Sequence, residues 1–167
     1  MVEERSNSGV ITGIIDKDAA QNLASSGKKI YKKNSVSDEW ENVSVCEPNS
    51  ADPSNPYEYI LVANGDDYTL DTNCQKGLVI HCGTRINVNH NFTGLILSTG
   101  VVNVSGFSSG VLKADSACVG ALIENIKTDS GLVDVKNIFT ALKNYNGDDE
   151  TALEKCVGYQ NWTKDEE

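Results

Sequence analysis

The sequence is poor in basic residues and has no long apolar run. Lysine and arginine number 14 against 24 aspartates and glutamates, for a formal net charge of -10, so a phosphate backbone or an anionic membrane surface is repelled. Nucleic acid is therefore not an expected partner. No stretch approaches the ~18 consecutive apolar residues of a membrane span, and no basic segment followed by an apolar one marks a leader peptide. Met1 opens a polar run, Val2 to Ser8, which reads either as a cytosolic start or as the edge left where an anchor has been removed. Proline is scarce, and all three, Pro48, Pro53 and Pro56, fall in one stretch that reads as a connection. Five cysteines, Cys46, Cys74, Cys82, Cys118 and Cys156, are scattered without a Cys-x-x-Cys pair. That odd, dispersed set argues against a disulfide framework or a zinc ribbon. It leaves room for one or two bridges of Cys74 or Cys82 with a distant partner, and otherwise suits small buried hydrophobes. With 167 residues the chain is long enough for one domain that removes roughly two thirds of its unfolded surface from water, with no metal or disulfide required.

What is present is a repeat. Leu61-Val62-Ala63, Leu78-Val79-Ile80 and Leu95-Ile96-Leu97 follow one another at 17-residue steps, and a second strand pattern follows each: Tyr68 to Asp71, Ile86 to Asn89, Val102 to Ser105. In those second strands apolar residues alternate with Asn, Thr, Asp or Ser, the period-2 sign of one buried and one wet face, so Ile86, Val88, Val102 and Val104 are expected to point inward. Glycines at 77, 83, 94, 100, 106 and 110 are read as corners. A unit of about 17 residues holding two or three short strands is the rung of a parallel β-helix, whose apolar face is buried only by its neighbours. An antiparallel sandwich is the alternative, with Asn64-Gly65 as its hairpin signal. Recurrence in the same order, rather than as mirrored halves, favours the coil.

Around the repeat, residues 9–15 read as a strand and Asp16 as the N-cap of a helix that Ser25-Ser26-Gly27 ends. Lys28 to Lys33 suits a lysine-protected sheet edge, and residues 34–59 a connection carrying Trp40. Residues 110–114 read as a last, incomplete rung. Asp115 caps an apolar helix reaching Ile126, expected to cover an open end of the coil. Asp134 is expected to cap a helix over 135–145, with Val135, Ile138, Phe139 and Leu142 at 3, 4, 7 spacing and Asn146-Gly147 as its stop. A second helix is expected from Glu150 to Val157, with Tyr159 to Lys164 docking on the body.

Sites of chemistry are few. His81, Cys82 and His90 are the only cluster of metal-ligating types, but zinc needs three or four ligands and a supporting shell. If Leu78, Ile80 and Cys82 alternate inward, His81 points outward. Asp66, Asp67 and Asp71, like Asp148, Asp149 and Glu150, lack the spacing of calcium loops. No nucleophile elbow, phosphate loop or metalloprotease motif is present. Trp40, Tyr57, Tyr59 and Tyr68 are the candidate rings for stacking on sugars, and no cofactor is implied.

The stretches Gly77 to Asn89 (Gly-Leu-Val-Ile-His-Cys-Gly-Thr-Arg-Ile-Asn-Val-Asn) and Phe92 to Gly106 resemble the short β-helix of uncharacterised surface proteins of Gram-positive gut bacteria, some similar to the pilus-assembly PilX-like group. There a membrane helix precedes a small ectodomain that ends in a motif similar to Tyr159-Gln160-Asn161-Trp162-Thr163-Lys164. The rung length also resembles that of the bactofilins, polymer-forming cytoskeletal proteins. The likeness covers about residues 58–126 and the last few. The chain lacks a prepilin-like membrane segment, which the pilus likeness requires, and has fewer rungs than a bactofilin filament. No catalytic residue carries over from either.

The sequence thus leads to a mainly β protein: a short right-handed parallel β-helix of about 17 residues per rung, with flanking α-helices as caps. Residues 1–57 form an N-terminal strand, helix and loop, 58–114 the rungs, and 115–167 the capping helices. The expected function is non-enzymatic, a structural or adhesive domain of the cell envelope, in a pilus-like surface system with other surface proteins or glycans as partners. A carbohydrate-binding module and a β-helix enzyme acting on polysaccharide are the alternatives. The location expected is extracellular or cell-envelope, or cytoplasmic if Met1 is the true start.

Overall fold

The computed structural model describes residues 13–105, 112–113 and 115–143. Among them the chain is mainly β, with two sheets and three short helices. In order they are α1 (Lys17–Leu23), β1 (Lys29–Lys33), β2 (Trp40–Val43), β3 (Tyr59–Asn64), β4 (Tyr68–Thr69), β5 (Lys76–Cys82), β6 (Arg85–Val88), β7 (Phe92–Ser98), β8 (Val101–Val104), β9 (Leu112–Lys113), α2 (Ser116–Thr128) and α3 (Val133–Lys136), the last led in by a 3-10 turn at Ser130–Leu132.

From β3 onward, consecutive strands alternate between the sheets. The larger sheet runs β2-β1-β3-β5-β7-β9 and the smaller β4-β6-β8. All pairings from β3 onward are parallel and keep the spacing seen in the sequence: Leu61 pairs with Val79 and Val79 with Ile96, while Ile86 pairs with Tyr68 and Val102. Since β3 and β4 lie in different sheets, Asn64-Gly65 is a corner between them rather than a hairpin. Gly77 and Gly94 are not corners. They sit within β5 and β7, paired with each other, at φ 127 and 138. A Cβ at Gly94 would lie 1.9 Å from the Gly77 carbonyl oxygen, and one at Gly77 equally close to that of Tyr59. Only glycine lets the three backbones stack there.

The larger sheet is buried on both faces, where the alternation argument expected one. Leu61 and Val79 face the smaller sheet, packing with Leu70, Ile86 and Val88. Their neighbours Ile60, Val62, Leu78, Ile80 and Cys82 face the other way, against Ala20 and Ala24, Leu122 and Ile126 of α2, and Leu132, Val135 and Ile138. A continuous apolar run such as Tyr59 to Ala63 is what two-sided burial demands, and each aliphatic side chain so covered contributes roughly 1.5–3 kcal/mol. Burial declines along the chain. Most of β3 and β5 is buried, most of β7 is half-buried, and β9 is exposed. In the smaller sheet Ile86 and Val88 are buried, as expected of inward residues, whereas Val102 and Val104 are half-buried.

Several expectations for the flanks are corrected. Gly13 and Ile14 are helical and Ile15 makes only an isolated bridge to Phe139, so the described part of 9–15 is not a strand; residues 9–12 lie outside the described residues. Asp16 does cap α1, accepting from the Ala19 amide at 3.0 Å. The lysine strand β1 is internal, antiparallel to both β2 and β3; the edge belongs to β2, in a segment expected to be pure connection. Asp115 caps α2, accepting from the Ala117 and Cys118 amides. That helix lies on the outer face of the larger sheet, with Leu122 and Ile126 packed on the β5 row, rather than across an open end.

The helix expected over 135–145 is only the four residues of α3, which starts at Val133 without a side-chain cap. Beyond it the backbone turns to pair with residues near Asp16: the Asp16 amide donates to the Ile138 carbonyl and the Thr140 amide to that of Ile14, at 3.0 Å in the second case. Those long-range bonds take over groups that a continued helix would use. Val135, Ile138, Phe139 and Leu142 are nonetheless all buried. The helix at 150–157, the closing aromatic motif, Cys156 and the glycines at 106 and 110 lie outside the described residues. No helix among the described residues is long and apolar enough to cross a membrane.

Candidate functional site

The most chemically distinctive residue is His81, and the structure reverses the outward orientation expected of it. It is fully buried because β5 turns its odd positions toward the smaller sheet and its even ones toward the helices. Nε2 lies 2.8 Å from the Gly65 carbonyl oxygen and Nδ1 lies 2.9 Å from Ser98 Oγ. A carbonyl can only accept, so Nε2 carries the proton and Nδ1 accepts from the Ser98 hydroxyl. Ser98 Oγ accepts in turn from the Gly100 amide at 3.1 Å. The ring stacks on Tyr68, centroids 5.9 Å apart. Burial lowers the His81 pKa, opposed by the bond to Gly65, so the ring is held neutral.

The same pattern runs through the repeat: polar side chains bond one copy onward. On the outside of the smaller sheet Asn87 donates to Asp67 at 2.7 Å and Asn103 to Asn87 at 2.8 Å, forming an amide ladder. Thr84 donates to Asp66 and Ser105 to Asn89. Thr99 Oγ1 accepts from the Gly83 amide. His90 donates from Nε2 to the Cys74 carbonyl at 2.8 Å.

The three candidate metal ligands are therefore not brought together. Cys82 is on the opposite face of β5 from His81, among the helix-side residues, and His90 is committed to Cys74. Among the described residues no group of three or more His, Cys, Asp or Glu side chains is placed to hold a metal ion.

The candidate sugar-stacking rings are mostly covered. Trp40 is 5% exposed, packed among the helix-side residues, with its amide held by Asp129 at 3.2 Å. Tyr59 is fully buried. Its hydroxyl accepts from the Glu47 amide at 2.8 Å and donates to the Glu47 carbonyl at 3.0 Å, and burial pushes its pKa up to about 12. Tyr68 is half-buried against His81, and burial raises its pKa strongly. Tyr57 is half-buried, with the Lys32 ammonium 3.8 Å above its ring. Neither Trp40 nor Tyr59 has a ring face open to a sugar.

A pair invisible to sequence spacing is Cys46 with Cys74. Both thiols are reduced and buried, in the cluster between the sheets, and they share a hydrogen bond. Cys74 donates, which with burial raises its pKa, while the bond it gives lowers that of Cys46. The ladder and the His81-Ser98 bond could have been found from the 16- and 17-residue spacing of like polar residues. No such signal exists for Cys46, which enters from the proline-bearing loop. Neither a protein-family model, nor a curated protein, nor a solved structure matches the chain.

Proposed function

We propose that residues 58–114 wind as a short right-handed parallel β-helix and that the chain is a non-enzymatic structural or adhesive domain of the cell envelope, similar in role to pilus-associated surface proteins. The observation that carries this reading is how the polar side chains of the repeat are used. Both histidines, Ser98, Thr84, Thr99 and the asparagines at 87 and 103 bond to residues 16 to 20 positions away. Groups that could act on a substrate are thus engaged in tying one strand level to the next. Such cross-ties favour a stiff spacer. Parallel strands alternating between two sheets at a constant step support the coil, and residues 115–143 pack along its side.

Two experiments test this. Protease shaving of intact source cells should release peptides of this chain, and recovery solely from the cytosolic fraction would remove the envelope assignment. Purified protein should leave polysaccharides uncleaved, so turnover abolished by His81→Gln would overturn the non-enzymatic reading. The exposed amides of Asn87 and Asn103 favour a second reading, glycan binding by hydrogen bonds rather than by stacking. A glycan array on which binding is lost with Asn87→Ala and kept with Tyr57→Ala would establish it.

A further inference from the structure

We propose that Cys46 and Cys74 form a dithiol that closes to a disulfide on meeting a small-molecule disulfide oxidant, locking the proline-bearing loop onto the turn between β4 and β5. The two sulfurs already meet in one buried cluster with Tyr59, Leu61 and Leu70. Their backbones are fixed independently of the thiols. Asn73 Nδ2 donates to the Cys46 carbonyl at 3.3 Å, and the Tyr59 hydroxyl clamps both backbone groups of Glu47. On the other side the Cys74 amide donates to the Asp71 carbonyl at 2.9 Å, and the Asn73 amide to the Asp71 carboxylate at 2.8 Å. Closure therefore requires side-chain rotation rather than backbone travel, which is the geometric condition for an unstrained bridge.

The order of events follows from exposure. Cys46 is 4% exposed and Cys74 fully buried, so the Cys46 thiolate attacks one sulfur of the oxidant, forming a mixed disulfide and expelling one thiolate. Cys74 then gives up its proton and attacks the Cys46 sulfur. The second oxidant thiolate leaves, and the proton ends on it. Two protein thiols are oxidised to one disulfide and one small disulfide is reduced to two thiols. Cys82 and Cys118 pack on the helix side of the larger sheet, with that sheet between them and the pair. The pairing is thus specified by the fold, and it does not depend on the function proposed above.

The test uses the full chain, reduced and then exposed to hydroxyethyl disulfide, with remaining thiols alkylated before digestion. No lysine or arginine lies between Lys33 and Lys76, so trypsin leaves both cysteines in one peptide and a second cut after Glu58 is needed. The expected result is that the Cys46 and Cys74 halves stay joined across that cut, together two hydrogens lighter than the dithiol, and separate on reduction. Tm should rise by roughly 5–10 °C on oxidation, and the rise should be absent from Cys46→Ser. Alkylation of both cysteines in folded, oxidant-treated protein would overturn the proposal. So would an arrested mixed disulfide on Cys46, or a bridge from either residue to Cys82, Cys118 or Cys156.

Discussion

Replacing Gly94 by alanine tests the strand stacking directly. The new methyl carbon would be centred 1.9 Å from the Gly77 carbonyl oxygen, where real Cβ atoms essentially never come within 3.0 Å. Relief to 3.0 Å parts the two backbones by about 1.1 Å, the difference of those distances. The neighbouring bond from the Thr93 amide to the Gln75 carbonyl is 2.9 Å long, and stretching by that amount takes it out of hydrogen-bonding range. Two such bonds lost remove about 1–3 kcal/mol net. A φ of 138 on a residue with a Cβ adds about 1–3 kcal/mol, so the expected loss is about 2–6 kcal/mol. Gly27→Ala is the control, because Gly27 shares the positive φ but has nothing within 4 Å of a Cβ. Urea unfolding followed by far-UV circular dichroism should place the Gly94→Ala midpoint roughly 1–3 M below wild type for a slope near 2 kcal/mol per M. Gly27→Ala should fall clearly between the two. Coincident midpoints for the two variants would refute the stacking argument, since only the steric part separates them.

Three further outcomes are expected. Ile80→Ala and Ile86→Ala, buried on opposite sides of the larger sheet, should each lose about 2–5 kcal/mol in urea melts; a loss below ~1 kcal/mol at either would mean that its side is open. Because the folded-state pKa of His81 is depressed, its contribution is complete above the unfolded value of about 6.5 and is lost as pH falls through the folded value, at up to ~1.4 kcal/mol per unit. Glu58, whose pKa burial raises, has the opposite sign, so the measurement is the difference between wild type and His81→Gln over pH 7.5 to 5, and parallel curves would contradict it. In a Trp162→Phe background, Trp40 should emit to the blue and resist acrylamide, as a 5% exposed indole must; free quenching would reopen the sugar-stacking role.

The alternation of strands was legible because Leu61, Leu78 and Leu95 carry their spacing openly, and Asp16 and Asp115 announce helix starts through local bonds. Which way each residue faces was not legible from alternation. Tyr59 to Ala63 is apolar throughout, so period 2 is erased, and with it the orientation of His81. The β1-β2 pair escaped notice because Trp40-Glu41-Asn42-Val43 is short and half polar, and its pairing with the lysine strand is a tertiary event. The helix after Asp134 kept its buried face but lost its length to bonds from residues near Asp16, more than 120 positions away. At the candidate site, residue types were read correctly, yet the burial of Trp40 and Tyr59 depends on partners such as Asp129 and Glu47 that no spacing rule connects to them.

The register of Gly77 with Gly94 bears on how such a chain can change in size. A duplicated segment 77–93 would find a glycine above and below it and the same bonding groups at each flank. Insertions in whole multiples of 17 residues would therefore lengthen the molecule while leaving both of its termini as they are. An insertion of any other length would bring a side chain against a carbonyl.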